Sequence, residues 1–493
     1  MNKVLEQNHE LYGRDIEKAA NSSYRLGYHM MAPARWINDP NGLIHWNGEY
    51  HVFYQHHPFD VKPGSIHWGH MKSKDLVHWE HLPIAIAPDK AYDKSGCFSG
   101  SAVDNNGVLT LIYTGHVNDD GVITETQCIA ESKDGIHFTK HQQNPVIAIP
   151  PKGASHDFRD PKVWKYRGKW YMVVGSQKNK LGNIHLYESD DLLSWRDRGA
   201  IVKSDGRLGY MLECPDFFEL EGRHVMVFSP QGMEPEGDHH QNLYQTGTLI
   251  GNFGYESAHF NYGEFTELDR GFDFYAAQTF KDDKGRRILY GWMNMWEAEM
   301  PEQAHGWAGA LTIPRELTFH SSGQLLMKPV EELQMLRHEK LMAESMIVSG
   351  VKKLNFAGDR LEIIAEFAKK TASSFGLNVR CSEDGQEKTV LRFDATEGKI
   401  VVDRNQAGEG EGGIRKAKIS SLDTIKLQIF IDRSSVELFV NDGETVMTSR
   451  IYPKAGSNGV EVFAEGGEVD LLSLQAWSLK DIWNSLSEKT TIE

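Results

Sequence analysis

Three acidic residues lie in segments whose neighbours suit them to chemistry. Asp39 falls in WINDPNG (36–42), Asp160 in HDFRDPKVW (156–164) and Glu213 in LECPDFFEL (212–220). In the first, Asn38-Asp39-Pro40-Asn41-Gly42 is a run of turn formers. Proline fixes φ, and asparagine and glycine accept left-handed backbone. The run therefore predicts a tight turn whose backbone N–H groups hold a short carboxylate in its charged form. In the second, Arg159 stands beside Asp160. Converging acids can do two kinds of work. They can surround a hard cation such as calcium, or they can act as nucleophile, acid and partner in glycoside hydrolysis. No D-x-D-x-D-G loop occurs, which disfavours calcium. An acid that only caps a turn explains any one of these segments, but three in phase with a repeat require more.

The repeat is a glycine followed by an alternating apolar and aromatic run. It occurs as GEYHVFYQ (48–55), GVLTLIYTG (107–115), GKWYMVVGS (168–176), GRHVMVFSP (222–230) and GRRILYGWM (285–293). A period of roughly sixty residues, each holding several short strands, is the pattern of a propeller with long loops. A second element lies between the first four runs: SKDLVHW (73–79), SKDGIHF (132–138) and SDDLLSW (189–195). It predicts a turn closed by serine and aspartate, with the aromatic packed between blades. Five units predict a five-bladed β-propeller over residues 27–328. A polar segment precedes each run, including CFSGSAV (97–103) and DFYAAQTF (273–280). If these segments form the innermost strands, Asp39, Asp160 and Glu213 meet at one mouth of the central channel.

The rest of the chain fits around that domain. Residues 1–26 form an N-terminal segment, the first 20 of which can be helical. PVEELQMLRHEKL, with apolar Val330, Leu333, Leu336 and Leu341, predicts a helical linker over 329–345. Beyond it, dense short alternating runs predict a C-terminal β-sandwich over 346–493. The fold class is thus all-β.

The chain has 493 residues and a formal charge of −16, which would repel a nucleic acid. Cys97, Cys128, Cys214 and Cys381 form no C-x-x-C pair, so a zinc ribbon or disulfide scaffold is not expected. The first twenty residues have no apolar h-region and no stretch is long enough to span a membrane, so a cytoplasmic location is expected. The pairs His56-His57 and His239-His240 cannot share a metal if each lies on a strand, where adjacent side chains oppose. GEGEGG (408–413) sits in a hairpin setting and carries two glutamates, so it is a flexible loop and not a dinucleotide site. Neither a metal nor a cofactor is called for.

WINDPNG, FSGS (98–101), FRDPKV (158–163), ECPD (213–216) and DFYAAQTF resemble, in order and spacing, the motifs of glycoside hydrolase family 32, the family of invertases and sucrose-6-phosphate hydrolases. SSVELFVNDGETVMTSRIYP (434–453) is similar to the signature of that family's C-terminal sandwich. The resemblance spans about residues 27 to 480 and implies a propeller with an appended sandwich. It also implies a β-fructofuranosidase acting on a small sugar by double displacement, with fructan hydrolysis and sugar binding without catalysis as alternatives. By resemblance Asp39 is the nucleophile, Glu213 the acid/base and Asp160 the transition-state stabiliser. Asn38, Gln55, Trp68, Phe98, Ser99, Arg159, Tyr275 and Trp292 match positions that shape the fructosyl pocket, with Trp68 and Trp292 as its apolar walls. Glu213 is expected to carry a proton, and Cys214 to be a packing residue. If the substrate is phosphorylated, His56, His57 or the His239-His240 loop are candidate phosphate contacts. A homodimer is possible.

Overall fold

A computed structural model describes residues 2–483. Five sheets follow one another along the chain, each built on an antiparallel meander of four strands, with a short fifth strand added to the first and the fourth. Their innermost strands are Arg35–Trp46, Gly96–Asn105, Phe158–Tyr166, Met211–Leu220 and Tyr275–Lys281. The first of these lies against both the second and the fifth, which closes the ring. The glycine-led runs of the sequence are the second strands: Glu49–His57, Val108–Asp119, Lys169–Lys178, Arg223–Gln231 and Arg287–Trp292. A short strand, Trp307–Ala308, runs parallel to Arg35–Trp36 beside the first blade. The expected five-bladed propeller is therefore observed.

The Ser-x-Asp element forms the predicted turn three times. Asp75 Oδ1 accepts from the backbone of Val77 and His78, Asp134 Oδ1 from Ile136 and His137, and Asp191 Oδ1 from Leu193 and Ser194. The aromatic that follows packs against a neighbouring blade. Trp79 meets Tyr290 edge-on at 6.3 Å, and Phe138 meets Phe53 at 5.5 Å.

The C-terminal domain is a sandwich organised by one long strand, Gly459–Leu479. Its first half pairs with Ser374–Cys381 and its second half with Leu361–Lys369, so the strand passes from one sheet to the other. Gly466 and Gly467 lie at the crossing with φ of 68° and 152°, values that side chains resist. Inward residues of both sheets, among them Leu377, Leu391, Ile363 and Ile429, form one buried cluster.

Two expectations are corrected here. The linker is helical only as a 3-10 turn over Glu331–Leu336, and Arg337–Ala343 is a strand on the sandwich sheet. Leu333 and Leu336, three apart, are both buried, a spacing that a single 3-10 turn satisfies as well as an α-helix. Arg337 then stacks on Trp477 at 3.8 Å and binds Glu362, which holds the segment extended. The GEGEGG loop is a hairpin loop as expected, but Glu409 N–H donates to the Tyr452 carbonyl, so it is pinned. The N-terminal segment does contain a helix, Asn2–Ala20.

Candidate active site

All five inner strands break register at one level. In each, residues of the inner strand bulge out against the second strand. Asn38-Asp39 bulge between Ile37 and Pro40, Ser99 between Phe98 and Gly100, and Asp160-Pro161 between Arg159 and Lys162. Cys214-Pro215 do so between Glu213 and Asp216, and Ala276-Ala277 between Tyr275 and Gln278. A bulge bends its strand and re-aims a side chain, and its unpaired residue needs no ladder donor. This accounts for the prolines at 161 and 215, which have no N–H to give, while Pro40 flanks its bulge in register with Tyr54. It also accounts for positive φ at Asp160 (69°), Cys214 (49°) and Ala276 (53°). WINDPNG is thus not a tight turn. It is the middle of a strand, and the residues that favour turns serve a bulge.

The bulges bring the three acids together. Asp39 Oδ2 accepts from Ser99 Oγ at 2.6 Å and from the Cys214 thiol at 3.5 Å, while Oδ1 accepts from Asn38 Nδ2 at 3.0 Å. Trp36 Nε1 donates to Asn38 Oδ1 at 2.7 Å and fixes that amide. The donors to Asp39 are therefore side chains, not the backbone N–H groups expected of a turn. Asp160 Oδ2 accepts from Cys214 N–H at 3.0 Å and lies 3.7 Å from its sulfur, so Cys214 bridges Asp39 and Asp160. Asp160 N–H donates to Thr114 Oγ1 at 3.0 Å. Glu213 Oε1 accepts from Arg159 at 2.8 Å; Oε2 accepts from Tyr275 Oη at 2.5 Å and from Gln231 Nε2 at 2.9 Å. Arg159 in turn binds Glu125 at 3.2 Å and Asp157 at 2.9 Å.

Burial and mutual repulsion set the charge of the cluster. Burial pushes the Asp39 carboxyl up to about 6, the Glu213 charge adds to this, and the Ser99 and Asn38 hydrogen bonds oppose it. Asp160 is held well above the carboxylate range, first by burial and then by Glu213, against the pull of Arg159. Burial, followed by the neighbouring acids, keeps Cys214 a thiol. This fits its reading as a packing residue and makes it a donor to Asp39.

The remaining predicted residues separate into two layers. Phe98 is half-buried and stacks on His116 at 4.1 Å. Trp68 and Trp292 are fully buried and form no wall of the channel, contrary to expectation. Trp68 Nε1 donates to the Phe98 carbonyl at 3.1 Å, and Trp292 packs between Trp36 and Trp296. The partly exposed aromatics around the acids are Phe98, Tyr244 and Trp296. Gln55 also lies behind the acids, donating to the Cys97 carbonyl at 3.2 Å. It sits 3.2 Å from Asn41, whose amide nitrogen donates to Ser99 Oγ at 3.2 Å. Asn41, Glu125 and Gln231 were not singled out from the sequence. Asn41 was inside a motif already quoted; Glu125 and Gln231 lie on second and third strands, and only the folded ring shows that they reach Arg159 and Glu213.

Two family models together match most of the chain. The glycosyl hydrolases family 32 N-terminal domain matches residues 29–329, and the family 32 C-terminal domain matches residues 332–478. The chain belongs to glycosyl hydrolase family 32. Among family 32 members, it is 44% identical to a sucrose-6-phosphate hydrolase of Escherichia coli over 94% of this chain and 96% of that protein. A family 32 β-fructofuranosidase of Bombyx mori superposes with a TM-score of 0.87 at 37% identity, covering 98% of this chain and 99% of the other. The sucrose-6-phosphate hydrolase of Lactobacillus gasseri superposes at 0.88 and 31% identity, covering 96% and 97%. Among the described residues no cluster is placed to hold a metal ion, and no helix is long and apolar enough to cross a membrane.

Proposed function

We propose that this protein is a retaining β-fructofuranosidase that cleaves sucrose 6-phosphate in preference to sucrose in the cytoplasm. The observation that carries the chemistry is the convergence of Asp39, Asp160 and Glu213 on five in-phase bulges, with Ser99 and Cys214 joining the acids. Asp39 attacks C2 of the fructosyl ring as the bond from C2 to the glycosidic oxygen breaks. Glu213 delivers a proton to that oxygen, and the glucosyl half leaves. Glu213 then takes a proton from water, the water oxygen bonds to C2, and the Asp39 carboxylate departs. The transition state of each step is oxocarbenium-like, and the carboxyl groups of Asp160 and Asp39 lie beside it. Asp160 and Asp39 are both held above the ordinary carboxylate range, so burial and mutual repulsion disfavour full ionisation of this cluster. Asp160 also binds sugar hydroxyls, and Arg159 fixes the orientation of Glu213.

The preference for the phosphorylated sugar is supported by the names of the relatives that match along nearly their full length. Initial rates on sucrose and sucrose 6-phosphate test it. A higher kcat/KM for the phosphorylated sugar is expected at low salt, narrowing as salt screens the contact. Equal or better use of sucrose would make the protein an invertase. Release of fructose from inulin or levan at a comparable rate would favour the fructan reading. The propeller keeps the boundaries 27–328 in this reading, the sandwich begins with the strand Arg337–Ala343, and it serves as a structural partner.

A further inference from the structure

The proposed reaction fixes where the glucosyl half must leave. Glu213 protonates the leaving oxygen, so that half sits on the Glu213 side of the acids. A cavity of about 480 Å³ opens there, lined by Gln177, Lys180, Gly206, Gly209, Tyr210 and Gly232, a volume suited to a small ligand. Two contacts tie it to Glu213. Tyr210 N–H donates to the carbonyl of Gln231, whose side chain holds Glu213 Oε2. Tyr210 Oη also lies 3.5 Å from Tyr244 Oη, and the Tyr244 ring is 5.7 Å from Tyr275, the other group on Oε2. Glycine lets the walls of the cavity pack closely on one another. A Cβ on Gly209 would meet the Gln231 carbonyl at 2.0 Å, and one on Gly232 the Tyr210 ring at 2.5 Å.

Lys180 is the cation of this cavity. It occupies the tip of a two-residue hairpin between Lys169–Lys178 and Leu181–Ser189, where Asn179 and Lys180 both have positive φ (54° and 61°). That geometry is a tight, well-defined hairpin turn, which holds the base of the side chain in place. Gly182 N–H donates to the Gly209 carbonyl and joins the hairpin to the opposite wall. Lys180 is exposed, and its ammonium pairs with no carboxylate among the described residues. Lys178 and Lys203 stand on the adjoining strands but do not line this cavity, and several other cations nearby are engaged. Arg207 binds Asp205 at 2.9 Å; His239 and Arg270 both bind Glu267, at 3.0 and 3.2 Å. His240 gives its backbone N–H to the same carboxylate. His56 is buried on the Trp36 carbonyl, and His57 Nδ1 bonds to the Lys62 carbonyl. His56, His57 and His239 are thus committed, and His240 lines the adjoining cavity rather than this one.

We propose that this cavity is the subsite for the phosphorylated glucosyl half, with Tyr210 flanking the sugar and Lys180 Nζ binding the 6-phosphate. The inference rests on the reading that the substrate is sucrose 6-phosphate. Its test compares wild type, Lys180→Ala and Lys180→Arg on sucrose and sucrose 6-phosphate at low salt. A single charge-assisted contact predicts that Lys180→Ala lowers the ratio of kcat/KM for sucrose 6-phosphate over sucrose by about tenfold or more. Lys180→Arg should restore most of it. A Lys180→Ala enzyme that keeps the wild-type ratio would overturn this assignment and leave the substrate reading intact. A wild-type ratio at or below one would overturn the substrate reading, and the subsite with it.

Discussion

Asp39 is asked to be a carboxylate in a place that resists charge. Its folded value of about 6 lies above the ordinary 3.8, mainly through burial. The fold is therefore penalised in full above about pH 6, and the penalty shrinks as pH falls from about 6 to 3.8. Asp39→Asn removes both the charge and the nucleophile. Turnover should be lost almost completely, while stability at pH 7 rises by at most about 3 kcal/mol, with a higher Tm. Active-site titration and thermal melts check the two parts, and a variant that keeps its turnover would remove Asp39 from the reaction. Catalysis itself should fall as pH drops through about 6, because protonated Asp39 cannot attack. The Ser99 hydroxyl lowers the Asp39 value, so Ser99→Ala should move the acid limb of kcat/KM to higher pH. An unmoved limb would mean that another group controls it. Glu213→Ala separates the acid from the nucleophile. Sucrose cleavage should fall by about 10²-fold or more, an aryl fructoside should suffer less, and azide should restore turnover in the second step.

At the scale of elements, the strand order was legible because a repeat of five glycine-led runs is visible without any contact. The bulges were not. Proline, asparagine and glycine favour turns and bulges for the same backbone reasons, so WINDPNG reads equally as either until its neighbours in the sheet are known. The burial of Trp68 and Trp292 was hidden for a related reason. Period-two alternation tells which face a residue takes but not how many layers of side chain cover it. The cavity at Lys180 could not be read at all, since its walls come from separate hairpins of two blades. The bulge at Cys214 can be tested directly. Its φ of 49° is poorly tolerated by a β-branched residue, and its thiol lies between two carboxyls. Cys214→Ser should keep the donor and most activity. Cys214→Val should lower stability by about 1–3 kcal/mol and displace Asp39 and Asp160, with a larger loss in kcat than in KM. Equal behaviour of the two variants in melts and kinetics would show that the bulge does not constrain this position.

For the whole molecule, the decisive contact is a buried ionic network between propeller and sandwich. His29, just ahead of the first blade, places Nδ1 at 2.8 Å from Asp432 and Nε2 at 2.8 Å from Glu437, both on sandwich strands. Glu437 also binds Arg315 of the fifth blade, which reaches Asp269 at 3.0 Å. All of these side chains are buried, so removing one partner leaves an uncompensated charge, a loss of about 3–5 kcal/mol in comparable pairs. The network also makes stability depend on pH. Burial alone would lower His29, but its hydrogen bonds to Asp432 and Glu437 outweigh burial and raise it above the usual value. A raised histidine contributes fully below its unfolded value of about 6.5 and loses that contribution as pH climbs through the folded one. Asp432 and Glu437 are both lowered, by their bonds to His29 and Arg315 against burial. Their contribution is present above ordinary carboxylate values and disappears as pH falls through the depressed ones. Joint stability of the two domains should therefore be greatest between about pH 4.5 and 6.5 and decline on the alkaline side. Thermal melts of wild type and His29→Gln across pH 5 to 9 separate this from other titrations. The variant should melt lower at pH 6, with the gap closing as pH rises, because deprotonated His29 no longer offers what glutamine lacks. A gap that stays constant with pH would show that His29 acts by packing alone.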